Sequence, residues 1–206
     1  TALLSGTATD ALSGAQKVEI SLDDGTTWAQ ASGTGPFSYS WTLPADGTYQ
    51  VRTRATDRAG NVEAPGPAVS LKVDNATPSS AITVPSAGAK LTGTTSVVSG
   101  TAVDATSGIA KVEVSTDDGA TWSAAVGTTA WTYSWTLPID GTYSLRVRAT
   151  DLAGNVETPA APLGVVVDNT KPASVIAAPS AGALLNAAVI SVTGSVPSPS
   201  RSDSRC

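Results

Sequence analysis

There is no histidine and no methionine in the 206 residues, and the one cysteine stands at the last position, Cys206. Without histidine, Ser-His-Asp and Cys-His catalytic arrangements are excluded, and the usual zinc ligand sets are missing as well. A single cysteine forbids any internal disulfide, which suits the cytosol and long exported chains alike. Charged residues make up only 14% and sum to −5, a balance that argues against a nucleic-acid partner. No apolar run is long enough to span a membrane, and neither a phosphate loop nor a dinucleotide fingerprint occurs. No signal peptide is visible. The chain also lacks an initiator Met and opens within what reads as a strand, so it is expected to be an excerpt of a longer protein.

What is present is a repeat. YSWTLPADGTYQVRTRATDRAGNVE, from Tyr39 to Glu63, returns as YSWTLPIDGTYSLRVRATDLAGNVE from Tyr133 to Glu157, an offset of 94 residues. Residues 1–75 align with 95–169 without a gap, and 45 of those 75 positions are identical. VDNATPSSAITVPSAGAKL at Val73–Leu91 matches VDNTKPASVIAAPSAGALL at Val167–Leu185, so a third copy begins near Thr170 and fades after Gly194. A unit of this length holds an independent core, whereas a propeller blade runs only about 40–50 residues. The expected division is a first repeat at 1–75, a second at 76–169, a partial third at 170–195 and a disordered tail at 196–206, rich in Ser, Pro and Arg.

Each copy reads as about seven strands. Leu3–Asp10 is the first in copy one. Val18, Ile20 and Leu22 then alternate with Lys17, Glu19 and Ser21, the period of a half-buried antiparallel strand. Asp24-Gly25 signals a hairpin, with Trp28 on the returning strand. Tyr39, Trp41 and Leu43 alternate with Ser40 and Thr42 before the turn Pro44–Gly47. Tyr49, Val51, Thr53 and Ala55 face one way, and Arg52 and Arg54 the other; Ala68–Val73 closes the copy. Pro78–Val84 opens the second. No helical period is found, so the expected fold class is all-β: tandem immunoglobulin-like sandwiches of two packed antiparallel sheets.

The motifs SGTATD (Ser5–Asp10), SGTAVD (Ser99–Asp104), RATDxAGNVE and the linkers VDNATP and VDNTKP carry a resemblance. Over roughly residues 1–195 the chain resembles bacterial immunoglobulin-like repeats of large secreted or surface-attached proteins. That resemblance implies an extracellular, non-catalytic module, sometimes stiffened by calcium between repeats. The expected function is a stalk or spacer at the bacterial cell surface, whose partners are neighbouring repeats. The alternatives are an adhesin or carbohydrate-binding module, taking a surface glycan or a protein, and a subunit of a head-to-tail filament.

Several residues invite a chemical reading. SLDDGTTW (Ser21–Trp28) and STDDGATW (Ser115–Trp122) fit S-x-D-x-G-x-T-W, which resembles the Asp-box hairpins of sialidase propellers. Their physics is structural: the Asp accepts turn N–H groups, Gly takes positive φ, and Trp packs over the hairpin. Trp41, Trp131 and Trp135 are in phase with the core, while Trp28 and Trp122 are the ones a glycan would stack on. Arg52, Arg54, Arg146 and Arg148 read as an outward charge ladder with Lys17, Glu19, Lys111 and Glu113.

In a sandwich of this topology Asp104 and Asp151 reach one end of the second copy, where the linker residues Asp74 and Asn75 arrive. Oxygen ligands of this kind suit Ca²⁺, which takes about 6–8 oxygens; these four residues are the candidate metal ligands, and no other cofactor is expected. The plain alternative is that each Asp caps its own turn. Asp10 and Asp57 are the equivalents in copy one, and Asp168 and Asn169 would serve a third. The remaining acids sit in turns or on an outward-facing strand, not around a cleft, so no enzyme is expected. Finally, copy one lacks an opening strand, while a surplus strand stands near Ala173–Ala178. Excision from a longer array accounts for this, and so would donation of that strand to a second molecule.

Overall fold

The computed structural model describes residues 1–186 and 191–195, and the tail at 196–206 lies outside them. The described residues contain strands and turns and no helix. The first copy holds β1 (Ala2–Thr7), β2 (Ala15–Ser21), β3 (Ala29–Gln30), β4 (Pro36–Trp41), β5 (Gly47–Asp57) and β6 (Val69–Val73). The second holds β7 (Ser79–Val84), β8 (Lys90–Leu91), β9 (Thr95–Val103), β10 (Ile109–Ser115), β11 (Ser123–Ala124), β12 (Val126–Gly127), β13 (Ala130–Thr136), β14 (Gly141–Asp151) and β15 (Leu163–Val167). A last pair, β16 (Val175–Ala178) and β17 (Thr193–Ser195), begins the third.

The second copy is a two-sheet sandwich. One sheet runs β12-β13-β9-β7 and the other β11-β10-β14-β15-β8. Its opening segment changes sheets: β7 pairs antiparallel with β9, and β8 then pairs parallel with β15. The alternation seen in the sequence is the reason for the layering. Val112 and Val114 on β10, Leu145, Val147 and Ala149 on β14, and Val98 and Ala102 on β9 all turn inward with Trp131 and Trp135. Each of the valines and the leucine among them contributes roughly 1.5–3 kcal/mol by leaving water. Trp135 meets Tyr143 edge to face at 5.6 Å, as Trp41 meets Tyr49 at 5.4 Å in copy one. Gly100 is where the sheet edge closes most tightly: a Cβ there would stand 1.9 Å from the Ala81 carbonyl oxygen on β7 and 2.6 Å from the Trp131 ring.

The first copy repeats this plan with six described strands against nine, lacking counterparts of β7, β8 and β12. Its sheets are β1-β4 and β3-β2-β5-β6, and β1 has no described partner on the flank that β7 covers in copy two. The difference shows in burial. Gly100, Ala102, Ala149 and Asp151 are buried, while their equivalents Gly6, Ala8, Ala55 and Asp57 are half exposed. β1 also stops at Thr7 rather than at Asp10. In copy two the same strand continues through Ala102 and Val103, the residues that pair with Ser80 and Ser79 of β7. A strand end lasts as long as its ladder, so without that partner the last residues of β1 leave the sheet.

Candidate metal centre at the junction between the copies

Five residues, Asp74 to Pro78, join β6 to β7. They are fixed to both copies. On the first side, the Asn75 backbone N–H donates to Asp46 Oδ1 (2.7 Å), and Asn75 Nδ2 donates to Asp46 Oδ1 (2.9 Å) and to the Pro44 carbonyl (3.1 Å). On the second, Asn155 Nδ2 donates to the Asp74 carbonyl (3.0 Å), and just before the linker Lys72 Nζ of β6 donates to the carbonyl of Thr106. Pro78 is buried.

At this junction Asp74, Asp104 and Asp151 each present a carboxylate oxygen, and the three atoms lie within 4.8 Å of one another. Three local features place them. Asp104 follows β9, where its Oδ1 accepts the N–H groups of Thr106 (3.1 Å), Ser107 (2.8 Å) and Gly108 (2.8 Å). The Gly108 amide foremost, with those of Ser107 and Thr106 and against the effect of burial, holds the Asp104 carboxyl below its ordinary range. Asp151 ends β14 and is buried; Asn155 donates its backbone N–H to Oδ1 (2.7 Å) and Nδ2 to Oδ2 (2.8 Å). Asp74 ends the first copy, and its Oδ1 accepts the Ala76 N–H (3.0 Å). Its Oδ2 is buried and has no hydrogen-bond partner.

No Lys or Arg forms an ion pair with these three aspartates among the described residues. Like charges at such separations disfavour one another, and a buried carboxylate oxygen without a donor is costly. A hard divalent cation answers both, because it neutralises the cluster and takes oxygen ligands only. The donor set and the orphaned Asp74 oxygen therefore fit Ca²⁺.

Three of the four residues expected here are brought together, and each aspartate also caps its own turn, so the two readings of them are compatible. Asn75 departs from the expectation. Its N–H groups are held by Asp46 and Pro44 of the first copy, because the residue after Asp74 turns back toward the 44–47 turn. The amide at the cluster is Asn155, which the sequence reading passed over. Its signal was in the D-x-A-G-N turn, written in both copies: Asn61 makes the same two bonds to Asp57, both at 2.8 Å. Asp10 likewise accepts the N–H groups of Leu12, Ser13 and Gly14. The second copy's outgoing linker repeats the pattern, with the Asn169 N–H on Asp140 (2.7 Å) and the Thr170 N–H on Asp168 (3.1 Å).

The aromatic and charged candidates resolve into local pairs. Trp41 and Trp135 are buried core, and Trp131 is buried with its Nε1 unpartnered. The rings of Trp28 and Trp122 are each covered by a guanidinium, Arg54 and Arg148, at 4.3 Å. Arg54 and Arg148 also pair with Glu19 (2.9 Å) and Glu113 (3.1 Å). Arg52 and Arg146 reach instead to the hairpin, to Asp24 (2.6 Å) and Asp118 (2.7 Å). Within each hairpin the first aspartate is held by its own turn: Thr27 donates to Asp23 through N–H (2.8 Å) and hydroxyl (2.6 Å), and Trp28 Nε1 donates to the Gly25 carbonyl (3.0 Å). Asp23 and Asp117 are pulled down to about 2, first by the Thr27 and Thr121 hydroxyls.

The bacterial Ig domain family model matches residues 1–53 and 78–147. No curated protein matches the sequence significantly. Among solved structures, the fibronectin(III)-like modules of Clostridium thermocellum CbhA superpose with a TM-score of 0.51 at 20% identity, over 81% of this chain and 85% of theirs. Dimeric latent PorU from Porphyromonas gingivalis gives a TM-score of 0.35 at 15% identity, over 84% of this chain and 22% of its own. The FN1-FN3 domains of chicken CNTN1 give 0.32 at 14%, over 84% and 66%. The first of these supports the sandwich fold, and the other two carry no argument.

Proposed function

Since the chain belongs to the bacterial Ig domain family, we propose that it is a non-catalytic spacer, a run of modules in an extracellular or surface-attached bacterial protein, stiffened by calcium where one copy meets the next. The observation that carries this reading is that Asp74, whose Oδ2 is buried and unpartnered, brings a carboxylate oxygen within 4.8 Å of those of Asp104 and Asp151 of the second copy. Asp74, Asp104 and Asp151 would hold the ion, with backbone carbonyls and water completing its shell. The ion would supply charge neutralisation and a fixed geometry between copies, not chemistry on a substrate. Asn155 would orient the Asp151 carboxylate and the Asp74 backbone from behind.

A five-residue linker containing a buried Pro78 and anchored on both sides leaves few backbone torsions free, which suits a spacer. The adhesin reading draws no support from the tryptophans, because each exposed-side ring already carries a guanidinium. A head-to-tail filament would be a further property of the same rod.

Thermal denaturation in millimolar Ca²⁺ and in EDTA tests the site, since a ligand of the folded state alone raises Tm by mass action. The rise should disappear in Asp74→Asn. Equal Tm in the two media would remove calcium from the account.

A further inference from the structure

Tension applied along the chain has to cross the second copy from one sheet to the other. The linker enters at Ser79 on β7, in the β12-β13-β9-β7 sheet, and the chain leaves at Val167 on β15, in the opposite sheet. These two points lie at opposite ends of the strands. Ser79 stands against Val103, beside Asp104 and the junction, while Val167 stands against Gly141, the end of β14 remote from Asp151. A pull along the chain therefore loads β7 and β15 along their lengths. Hydrogen bonds between antiparallel strands run at right angles to that direction, so those of one ladder resist together rather than one after another.

Between the sheets the packing is apolar, and apolar contact has no preferred direction. Among the described residues, the hydrogen-bonded bridge from β7 to the other sheet is the Glu157 carboxylate. Its Oε1 accepts the Ser80 N–H at 2.8 Å, and its Oε2 accepts the Ser80 hydroxyl. The same Oε2 accepts the Ala149 N–H on β14 at 2.9 Å, while the Glu157 N–H donates to the Ala149 carbonyl at 3.0 Å. Glu157 is thus anchored on a buried residue of the strand that pairs with β15, and it grips the second residue of the strand that the linker enters. A further hold stands behind it. β8 pairs parallel with β15, where Gly88 N–H donates to the Gly164 carbonyl (2.8 Å), Val166 N–H to that of Ala89 (2.9 Å) and Asp168 N–H to that of Leu91 (2.9 Å).

We propose that Glu157 is a tension tie. It passes load from β7 directly into β14, so that β7 and the rest of the second copy come apart in one event. Without it, β7 is shed first and the load falls on the β8–β15 pair. The chemistry suits the role, because a carboxylate holds N–H and O–H donors more strongly than a neutral acceptor does. The tie itself follows from the strands of the second copy and takes nothing from the metal cluster; that tension is applied to it rests on the spacer reading.

Single-molecule pulling on the full chain, held at its amino terminus and at the Cys206 thiol, is the test. The unaltered chain should release its second copy in one event. Glu157→Gln keeps the shape of the side chain and a neutral acceptor, and it should divide that event. A short early step comes first, no longer than the about 30 Å that residues 79–87 span when extended, and the main release follows. Ser80→Ala keeps the N–H and loses the hydroxyl, so it should divide a smaller fraction of the traces. It also decides the matter if denaturant unfolding shows that Glu157→Gln has not folded. A glutamate that only adds stability would lower the force of the single event without dividing it, since forced unfolding follows the unfolding rate. An undivided event in the variants overturns the inference, and so does an unaltered chain that already sheds β7 first. Recording in EDTA keeps a cation at Asp74 from holding the linker, so a failure of the tie and a failure of calcium stiffening are read separately.

Discussion

Asn155 donates its side-chain amide to the Asp74 carbonyl at 3.0 Å, across the boundary between the copies. The same nitrogen donates to Asp151 Oδ2 at 2.8 Å. One amide therefore couples the linker to a buried carboxylate at the end of β14. Asn155→Ala leaves both acceptors without that donor, and a hydrogen bond to a charged, buried group is worth about 1.5–3 kcal/mol. We expect a loss of that order in chemical denaturation. Asn61→Ala in the first copy, whose partner Asp57 is half exposed, should cost visibly less.

The two halves of this junction differ in how far the sequence revealed them. Asp104 and Asp151 were legible because each stands in a turn signal, D-x-x-S-G and D-x-A-G-N, whose place at a strand end follows from alternation. Asp74 was legible because the linker must arrive at that end. Asn75 was misplaced because which way a residue turns at a strand exit depends on a tertiary acceptor, here Asp46, which lies 29 residues away. The two-residue strands β3, β8, β11 and β12 carry no period of their own, and they exist only because a neighbour accepts them. The length of β1 was overestimated for the same reason, since its partner strand sets where it ends.

Acid should weaken both hairpins. Asp23 and Asp117 have folded-state values of about 2, lowered from an ordinary 3.8 by the Thr27 and Thr121 hydroxyls. A depressed carboxylate contributes stability that is fully present above its unfolded value and is lost as pH falls toward its folded one. Tm should therefore fall between about pH 4 and pH 2, and Thr121→Val should flatten the dependence contributed by the second hairpin. Calorimetry across that window checks it. A Tm insensitive to pH there would show that these bonds do not distinguish folded from unfolded chain.

Trp131 is buried at 1% exposure with an indole N–H that finds no acceptor, and copy one carries Phe37 at the same place. Trp131→Phe removes an unpaired donor along with some packing, so the two effects oppose. Its cost in urea denaturation should be well below the about 3–5 kcal/mol expected of Trp131→Ala. Equal costs would mean that a phenyl ring recovers none of the packing the indole makes.

The Arg148 guanidinium lies between the Trp122 ring and Glu113. Arg148→Ala should remove a cation–π contact and a partly exposed ion pair together, about 1 kcal/mol in all. It should also leave the Trp122 face open to water. The emission maximum of Trp122, isolated by Trp→Phe changes at the other four tryptophans, should shift to the red. No shift would mean that the arginine does not cover the ring in solution.

The most direct measurement concerns the junction itself. Residual dipolar couplings recorded on the isotopically labelled chain, with Ca²⁺ and with EDTA, report whether the two copies share one orientation. The account predicts that a single alignment tensor fits residues 1–75 and 76–169 together in calcium, and that two different tensors are needed once calcium is removed or Asp74 is changed to Asn. Two unrelated tensors in the presence of calcium would contradict it.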